Sequence, residues 1–260
     1  MSEAFYLPDG DRFVSTDLTR GPWSAKHQHA GPPAALVGRA IEALEPAGLA
    51  VARFSLEILG PLPLVPLRVE TRVARPGKRV QLVEAALVGD DDDELARASA
   101  WRIRASDEPT AEVGLEPLAL PAPGASPESS LYQPPWGDSY FTATEWRLAS
   151  GAIAEPGPAA VWMRMRVPLV AGEDPSPLTR VLVAADSANG ISWELPWDTH
   201  LFVNTDLTVH LARMPEGEWV CLDARSRIGP RGIGLSESVL WDERGWIGRG
   251  AQSLLVAPRG

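Results

Sequence analysis

Apolar and polar residues alternate along much of this chain, and one long apolar segment interrupts the alternation in each half. The alternation predicts a strand at residues 12–18 and another at residues 159–169. A helix is predicted at residues 32–44, where two consecutive prolines suit a first helical turn because the N–H that they lack has no partner there. The second apolar segment, residues 177–193, is apolar on nearly every side, which is typical of a buried helix.

Each predicted helix is followed by four predicted strands, which Pro-Gly and Gly-Pro pairs at 76–77 and 229–230 interrupt. Each half therefore has the same layout, a strand, a helix and then an antiparallel set of strands. The acidic run at residues 90–93 fits a solvated hairpin turn better than a metal loop, because metal loops space their ligands apart. The predicted strands are residues 52–59, 67–74, 79–88 and 96–105 in the first half and residues 205–212, 219–228, 232–241 and 245–256 in the second.

The two halves are also related by a constant spacing in the sequence. Arg75 and Arg227 are 227 − 75 = 152 residues apart, and further identical pairs occur at the same spacing. A repeat of this length is a domain-sized unit, since solenoid repeats run to about 20–50 residues. We therefore predict an N-terminal unit at 1–106, a proline-rich linker at 107–135 and a C-terminal unit at 136–260. The further pairs are Gly38 with Gly190, Glu42 with Glu194, Gly77 with Gly229, Arg79 with Arg231, Asp90 with Asp242 and Arg97 with Arg249.

Composition and charge narrow the class of protein. The 260 residues carry a net charge of −10, which argues against nucleic-acid binding and against general adhesion to anionic membranes. A single cysteine, Cys221, allows no intramolecular disulfide, and no apolar run approaches the roughly 20 residues of a membrane span. The N-terminal residues show no secretory signal pattern. We therefore expect a cytoplasmic protein without membrane insertion.

Two short motifs and one strand carry a resemblance to a known family. The motifs are Thr-Arg-Gly-Pro-Trp at 19–23 and His-Ala-Gly-Pro-Pro-Ala-Ala-Leu at 29–36, and the strand is 53–59 before Gly60-Pro61. Over its whole length the chain resembles the double-hotdog acyl-CoA thioesterases of the thioesterase II, or TesB-like, type, with Ala30 in place of one family glycine. The resemblance implies an α+β double hotdog, in which two bent antiparallel sheets join into one continuous sheet and each wraps a long central helix.

The resemblance also implies a catalytic site in the second unit. In the family, an Asp on the helix, a Thr on the next strand and a Gln on the last strand together hold a water molecule. Asp186 and Gln252 match the Asp and the Gln, and Asn204 occupies the Thr position, with Thr205 one residue further on. Thr205 could replace Asn204 only after a slip in strand register, because adjacent strand residues point to opposite faces. Asn204 can itself donate and accept hydrogen bonds, and so orient the water or the Gln252 amide.

The residues themselves support the same site. A carboxylate on a buried apolar helix is costly without partners, and burial would raise the pKa of Asp186 towards that of a useful general base. At the spacing of 152 residues, 186 − 152 = 34 and 252 − 152 = 100, and the first unit has Ala34 and Ala100 in these places. The chemistry is therefore predicted in the second unit. The structural alternatives are an unreactive buried Asp186, a Gln252 on a solvent-facing strand face and an Asn204 that merely starts a strand.

Four further residues are candidates for contact with the acyl end of the substrate. His29, followed by Gly31 in the same motif, is predicted near the thioester end of the pocket, and a plain role in a loop or helix entry is the alternative. Gly190 is predicted to let its helix approach the sheet closely. Trp193 is predicted to line the acyl pocket, and core packing is the alternative.

Arg227 and Arg231 are candidates for binding the phosphates of coenzyme A, and surface solubility explains them equally well. Coenzyme A is expected as part of the substrate, and no separate cofactor is expected. No metal site is predicted, because His27 and His29 lack a nearby Cys or acidic ligand in the sequence.

The expected function is hydrolysis of an acyl-CoA thioester by a water that Asp186, Asn204 and Gln252 position. No Gly-x-Ser-x-Gly elbow supports a serine hydrolase. One alternative is a catalytically degenerate hotdog protein that binds acyl-CoA or acyl groups. Another is a hotdog enoyl-CoA hydratase, which pairs an Asp with a His a few residues on and is disfavoured because residues 186–190 contain no His. A homodimer or larger homo-oligomer is expected, and the acyl length, the carrier and the pathway stay open.

Overall fold

The structure, a computed structural model, describes residues 4–106, 108, 110–130 and 132–259. The first half contains β1 (Tyr6–Asp9), β2 (Arg12–Ser15), α1 (Gly31–Glu42), β3 (Leu49–Ile58), β4 (Pro66–Arg75), β5 (Val80–Val88) and β6 (Glu94–Arg104). The second half contains α2 (Tyr140–Ala143), β7 (Thr144–Ser150), β8 (Ala159–Met165), α3 (Pro177–Ala185), α4 (Ala188–Ile191), β9 (His200–Asn204), β10 (Asp206–Leu211), β11 (Val220–Ile228), β12 (Ile233–Asp242) and β13 (Gly245–Pro258). In each half a helix stands between strands, as the sequence predicts, but two strands precede it where one was predicted, and the second half also contains α2, α4 and β9.

The described strands form one continuous sheet, and its neighbouring strands pair antiparallel. The strand order is β1-β2-β4-β5-β6-β3-β10-β13-β12-β11-β8-β7, and β9 pairs with β13. This order is symmetric about the β3–β10 pair, in which Leu56 lies opposite Leu207. Equivalent strands of the two halves therefore lie at equal distances from the centre of the sheet. The prediction of two antiparallel sheets joined into one is confirmed.

The helices α1 and α3 pack against each other over one face of the sheet, and the main hydrophobic core lies between them and that face. Glycines in α1 permit this close contact. A Cβ atom at Gly31 would lie 2.4 Å from the Val183 carbonyl oxygen, and one at Gly38 would lie 2.4 Å from Leu182 Cδ1. The first contact is to backbone and cannot move aside easily, so Gly31 fixes how closely the start of α1 approaches the end of α3.

The second helix is broken, which corrects the prediction of one helix over residues 177–193. Asp186 is the C-cap of α3, and α4 begins two residues later. Asp186 therefore stands at a helix end and not in a helix interior. The spacing between the starts of α1 and α3 is 177 − 31 = 146 residues, which differs from the spacing of 152 residues between the identical pairs. On that spacing the first-unit counterpart of Asp186 is Ala40 and not Ala34, and both are alanines.

The described part of the predicted linker packs on the sheet face opposite the helices. Trp162 Nε1 donates to the Pro121 carbonyl oxygen at 2.8 Å, and Leu118 packs against a cluster that includes Trp162 and Trp219. None of the described helices is long and apolar enough to cross a membrane. The unit boundaries, the cytoplasmic location and the homo-oligomer stay predictions. Residues 1–3, 107, 109, 131 and 260 of the predicted units and linker lie outside the described residues.

Candidate active site

A cavity of about 590 Å³ lies at the junction of the two halves of the sheet. Leu59 and Leu62 line it from the first half, and Val203 lines it from the second. At the end of β3, the Ile58 N–H donates to the Thr205 carbonyl oxygen at 2.9 Å. The residues before Thr205 form β9, which pairs with β13 and not with β3. The cavity therefore opens where the two halves of the sheet separate. Its aromatic lining residues include Trp23, Tyr132, Phe141, Trp193 and Trp197.

The Asp186 carboxyl group faces this cavity from the break between α3 and α4. Asp186 is only 4% exposed. Asn204 Nδ2 donates to its Oδ1 at 2.8 Å, and Gln252 Nε2 donates to the same oxygen at 3.1 Å. Gln252 Nε2 also lies 3.1 Å from the Asp186 carbonyl oxygen. The structure thus brings together the three residues predicted to form the catalytic site, and two amides hold one oxygen of the carboxyl group.

The other carboxyl oxygen, Oδ2, lies 3.2 Å from Nδ1 of His29 in the first unit. The Gly31 N–H donates to the same Nδ1 at 3.1 Å. Nδ1 is therefore an acceptor, and the neutral ring carries its proton on Nε2. A proton between His29 and Asp186 is then bound to the carboxyl group, which donates a hydrogen bond to Nδ1 of the imidazole. Backbone N–H groups of Ala30 and Gly31, at the start of α1, also hydrogen-bond to the carboxylate.

Burial determines the protonation of this pair. Desolvation raises the pKa of Asp186 to about 7, and hydrogen bonds from two side-chain amides and two backbone N–H groups lower it only in part. Burial also lowers the pKa of His29 to about 3, so the imidazole is neutral at physiological pH. The close approach of the two groups is therefore a hydrogen bond between neutral groups below about pH 7 and not an ion pair. A carboxyl group that ionises near pH 7 suits general-base catalysis.

Gln252 lies behind Asp186 and not in the cavity wall. Its side chain is fully buried, and its Oε1 accepts the Asn189 N–H at 3.2 Å. The family resemblance implies that Asp186, Asn204 and Gln252 hold one water together. In the structure the Asn204 and Gln252 amides both donate to the carboxyl group, so Gln252 orients Asp186, while Asn204 also lines the cavity.

Thr205 does not join this cluster. It lies between β9 and β10 with an exposed side chain at the cavity, and its Oγ1 is 3.4 Å from Asp206 Oδ1. Adjacent residues point to opposite sides of the strand, so Asn204 reaches Asp186 and Thr205 does not.

Of the candidate acyl-binding residues, His29 lines the cavity, whereas Gly31 is buried in α1 and does not. Gly190 and Trp193 also line the cavity, and Trp193 Nε1 donates to the Ile153 carbonyl oxygen at 2.9 Å. The predicted close approach at Gly190 is wrong, because the nearest atom to a Cβ there would be in Trp197, at 4.0 Å. The close approach occurs at Gly31 instead.

Arg227 and Arg231 are exposed on the β11–β12 hairpin and do not line the cavity. Arg227 forms an ion pair with Glu237 on the neighbouring strand. Their contact with coenzyme A phosphates stays a prediction, and it requires the nucleotide to lie outside the cavity. Among the described residues no group of three His, Cys, Asp or Glu side chains has an arrangement suited to a metal ion.

Three residues at the site were missed from the sequence. Ser187 and Asn189 line the cavity beside Asp186, and the polar run Asp-Ser-Ala-Asn in an otherwise apolar segment was a usable signal for both. Tyr140 stacks on His29. The pattern around residue 140 predicts no element, so the sequence offered no comparable signal for Tyr140.

Family comparison covers most of the chain. The acyl-CoA thioesterase N-terminal domain model matches residues 19–103, and the acyl-CoA thioesterase C-terminal domain model matches residues 115–256. No curated protein gives a significant match. The resemblance stated from the sequence motifs is confirmed.

Several solved structures share the fold. A protein of Novosphingobium aromaticivorans DSM 12444, provisionally assigned as a thioesterase, is 21% identical, with a TM-score of 0.73 over 96% of this chain and 98% of that chain. A hot dog fold protein of Alicyclobacillus acidocaldarius is 15% identical, with a TM-score of 0.73 and coverage of 98% and 96%. The acyl-CoA thioesterase II TesB2 of Mycobacterium marinum is 15% identical, with a TM-score of 0.65 and coverage of 89% and 90%. Similarity at these identities concerns the fold, and the hotdog prediction is confirmed.

Proposed function

The chain belongs to the acyl-CoA thioesterase family and is a thioester hydrolase, and we propose that it hydrolyses an acyl-CoA with Asp186 as the general base. The observation that carries this proposal is a buried carboxyl group, with its pKa raised by burial to about 7, that faces a largely apolar cavity. The cavity volume of about 590 Å³ lies within the usual range of small-molecule sites. An acyl chain would be bound there chiefly by removal of its apolar surface from water.

In the proposed reaction the ionised Asp186 takes a proton from a water molecule while the water oxygen attacks the carbonyl carbon of the thioester. The tetrahedral intermediate then collapses, the C–S bond breaks, and the proton on Asp186 passes to the departing thiolate. The products are a carboxylic acid and free coenzyme A. General-base catalysis of this kind contributes about 10²–10⁴-fold.

Asn204 and Gln252 support this step through the geometry of the carboxyl group. Both donate to Oδ1, which leaves Oδ2 as the oxygen that exchanges the proton. His29 accepts that proton's hydrogen bond in the resting state, because its Nδ1 lies 3.2 Å from Oδ2. In this reaction Asn204 and Gln252 orient the carboxyl group of Asp186, and Asp186 alone activates the water.

The test is release of free thiol from a panel of acyl-CoA esters of different chain length, followed with a thiol-reactive dye. The wild-type protein should release coenzyme A from at least one ester, and Asp186→Asn should lower kcat by about 10²-fold or more. Asp91→Asn, an exposed acid in the β5–β6 turn, is the matched control and should keep full activity. Equal rates for Asp186→Asn and the wild type would refute the role of Asp186. Ligand-induced thermal stabilisation without any thiol release would favour the acyl-binding alternative.

One observation favours a second candidate, the enoyl-CoA hydratase. The sequence argument against it was the lack of a His near Asp186, yet the fold brings His29 of the first unit to 3.2 Å. A hydratase would remove the conjugated double bond of an enoyl-CoA, which is followed by the loss of its ultraviolet absorbance. Loss of that absorbance without thiol release would support the hydratase over the thioesterase.

A further inference from the structure

We infer that Tyr140 is a positioning residue that fixes the contact between His29 and Asp186. The inference rests on the proposed role of Asp186 as the base. Tyr140 belongs to the short helix α2, which no feature of the sequence connected with the site. Its side chain is fully buried, its ring stacks on His29, and its hydroxyl group hydrogen-bonds to residues on either side of Asp186.

The ring of Tyr140 lies flat against the imidazole of His29. The ring centroids are 3.8 Å apart and the planes are inclined by 7°. A parallel contact at this distance leaves no room for a tilt of the imidazole, so it fixes the direction of Nδ1. Phe141 closes a second side of His29 with an edge contact, at a centroid distance of 6.1 Å.

The hydroxyl group of Tyr140 fixes the backbone around Asp186. It donates to the Val183 carbonyl oxygen at 2.7 Å, and the Ser187 hydroxyl lies 2.8 Å away as the donor to Tyr140. Val183 is in the last turn of α3, and Ser187 directly follows Asp186. The hydroxyl therefore bonds to both sides of the helix break from which Asp186 faces the cavity.

The backbone of α2 is tied to the segment that carries His29. The Tyr140 N–H donates to the Arg20 carbonyl oxygen at 3.0 Å, and the His29 N–H donates to the Thr19 carbonyl oxygen at 2.7 Å. Tyr140 is thus a link between the loop of the first unit and the broken helix of the second. A change in Tyr140 should alter the distance between Nδ1 and Oδ2 before it alters the rest of the cavity.

The surroundings of Asp186 make a displacement of His29 measurable. The titratable groups that face Asp186 are His29 and Tyr140, and its other partners are the Asn204 and Gln252 amides and the N–H groups at the start of α1. Among the described residues, no Arg or Lys forms an ion pair with Asp186. A displaced imidazole removes the acceptor for the Asp186 proton and admits water, and both changes lower the pKa of Asp186.

The experiment compares Tyr140→Phe and Tyr140→Leu in the full-length chain. Tyr140→Leu removes the stacked ring, and kcat should fall about 10–100-fold, because small misplacements of catalytic groups have effects of that size. The rising limb of the pH–rate profile should move to lower pH. Tyr140→Phe keeps the ring and loses the two hydroxyl contacts, so kcat should fall about three- to tenfold. Ser187→Ala loses only one of these contacts, so its loss should be smaller, and the double variant should lose no more than Tyr140→Phe alone. The matched control is Phe54→Leu, which removes a buried aromatic ring that does not line the cavity.

Histidine NMR supplies a readout that does not depend on turnover. The chain has four histidines, so ¹⁵N-labelled histidine gives a simple spectrum in which a His29→Gln sample assigns the His29 signals. In the wild type His29 should stay neutral across the pH range of the assay, with Nδ1 unprotonated below pH 7, where Asp186 carries the shared proton. In Tyr140→Leu it should titrate at a higher pH than in the wild type.

Unchanged kcat, an unmoved pH limb and an unchanged His29 spectrum in both variants would overturn the inference, even if the variants were less stable. If Tyr140→Leu does not fold, the kcat values of Tyr140→Phe, Ser187→Ala and the double variant decide. Unchanged kcat in Tyr140→Phe, or additive losses in the double variant, would then overturn the inference. A wild-type protein that releases no thiol would refute the proposed function, and the His29 titration would still test whether Tyr140 positions the imidazole.

Discussion

At the scale of single residues, Asp186 combines a buried position with a need to ionise. Four hydrogen-bond donors favour its charged form, and burial opposes it more strongly. Such a group can serve as the proposed base near neutral pH, and it makes the folded protein less stable when it is charged.

The first prediction concerns the pH dependence of hydrolysis. Because Asp186 must be ionised to act and burial raises its pKa to about 7, kcat/KM should rise about tenfold per pH unit below pH 7 and level off above it. Initial rates of thiol release between pH 5 and pH 9 measure the profile. A rate that is flat from pH 5 to pH 9 would contradict it.

The second prediction concerns stability. The folded pKa of Asp186 lies above its unfolded value of about 3.9, so its stabilising contribution is present below pH 4 and is lost as the pH rises through 7. Asp186→Asn cannot ionise, and its Tm relative to the wild type should therefore be higher at pH 8 than at pH 5. Thermal unfolding at several pH values gives this difference. A constant difference for Asp186→Asn would argue against a raised pKa.

At this scale the sequence located Asp186, Asn204 and Gln252 and predicted His29 near the thioester, but it missed the contact between His29 and Asp186. Asp186, Asn204 and Gln252 stand out because each interrupts an apolar pattern or matches a family position. The contact of His29 with Asp186 joins residues 186 − 29 = 157 positions apart, and it depends on how α1 packs against α3. No local pattern reports such a distance.

At the scale of elements, alternation was enough to predict most strands of the sheet. It did not predict the short strands at its edges or the break in the second helix. The strands β4, β5, β11 and β12 lie within two residues of the predicted limits. β1 has four residues and contains a proline, and β7 is buried at three consecutive positions, so neither shows a clear period of two. The break after α3 lies at the polar residues Asp186 and Ser187 within a segment that is apolar on both sides, which explains why one helix was predicted.

The β11–β12 hairpin gives the third prediction. If it binds the phosphates of coenzyme A, Arg231→Ala should raise KM for an acyl-CoA about fivefold and leave kcat unchanged. It should not affect the corresponding N-acetylcysteamine thioester, which lacks the nucleotide. Arg79→Ala is the matched control, since Arg79 holds the same place in the first unit, 231 − 152 = 79, and is exposed. Equal effects on both thioesters would exclude a phosphate contact.

At the scale of the whole molecule, the two units are held together by more than their linker. The β3–β10 pairing joins the sheets, and α1 packs against α3. Both contacts are formed by units that are separate in sequence, which is why the joined sheet was predicted only through the family resemblance.

The fourth prediction follows from these contacts. A protease site inserted between Glu112 and Val113, where Val113 is 85% exposed, allows the chain to be cut after folding. The two pieces should stay together in gel filtration and keep most of the hydrolytic activity. Their unfolding should become dependent on protein concentration, because the cut chain unfolds into two molecules. The uncut insertion variant is the control, and pieces that separate without denaturant would contradict the prediction.

The position of His29 opposite Asp186 has a consequence for how the two copies have diverged. As separate chains, the units could pair first with first, second with second or first with second, and only the mixed pair would set the start of α1 against Asp186. Covalent fusion makes every molecule a mixed pair at any dilution. Each copy then needs to keep only its own residues of the candidate site, so the first copy is not redundant. It supplies an imidazole and a helix start that the second copy cannot supply to itself.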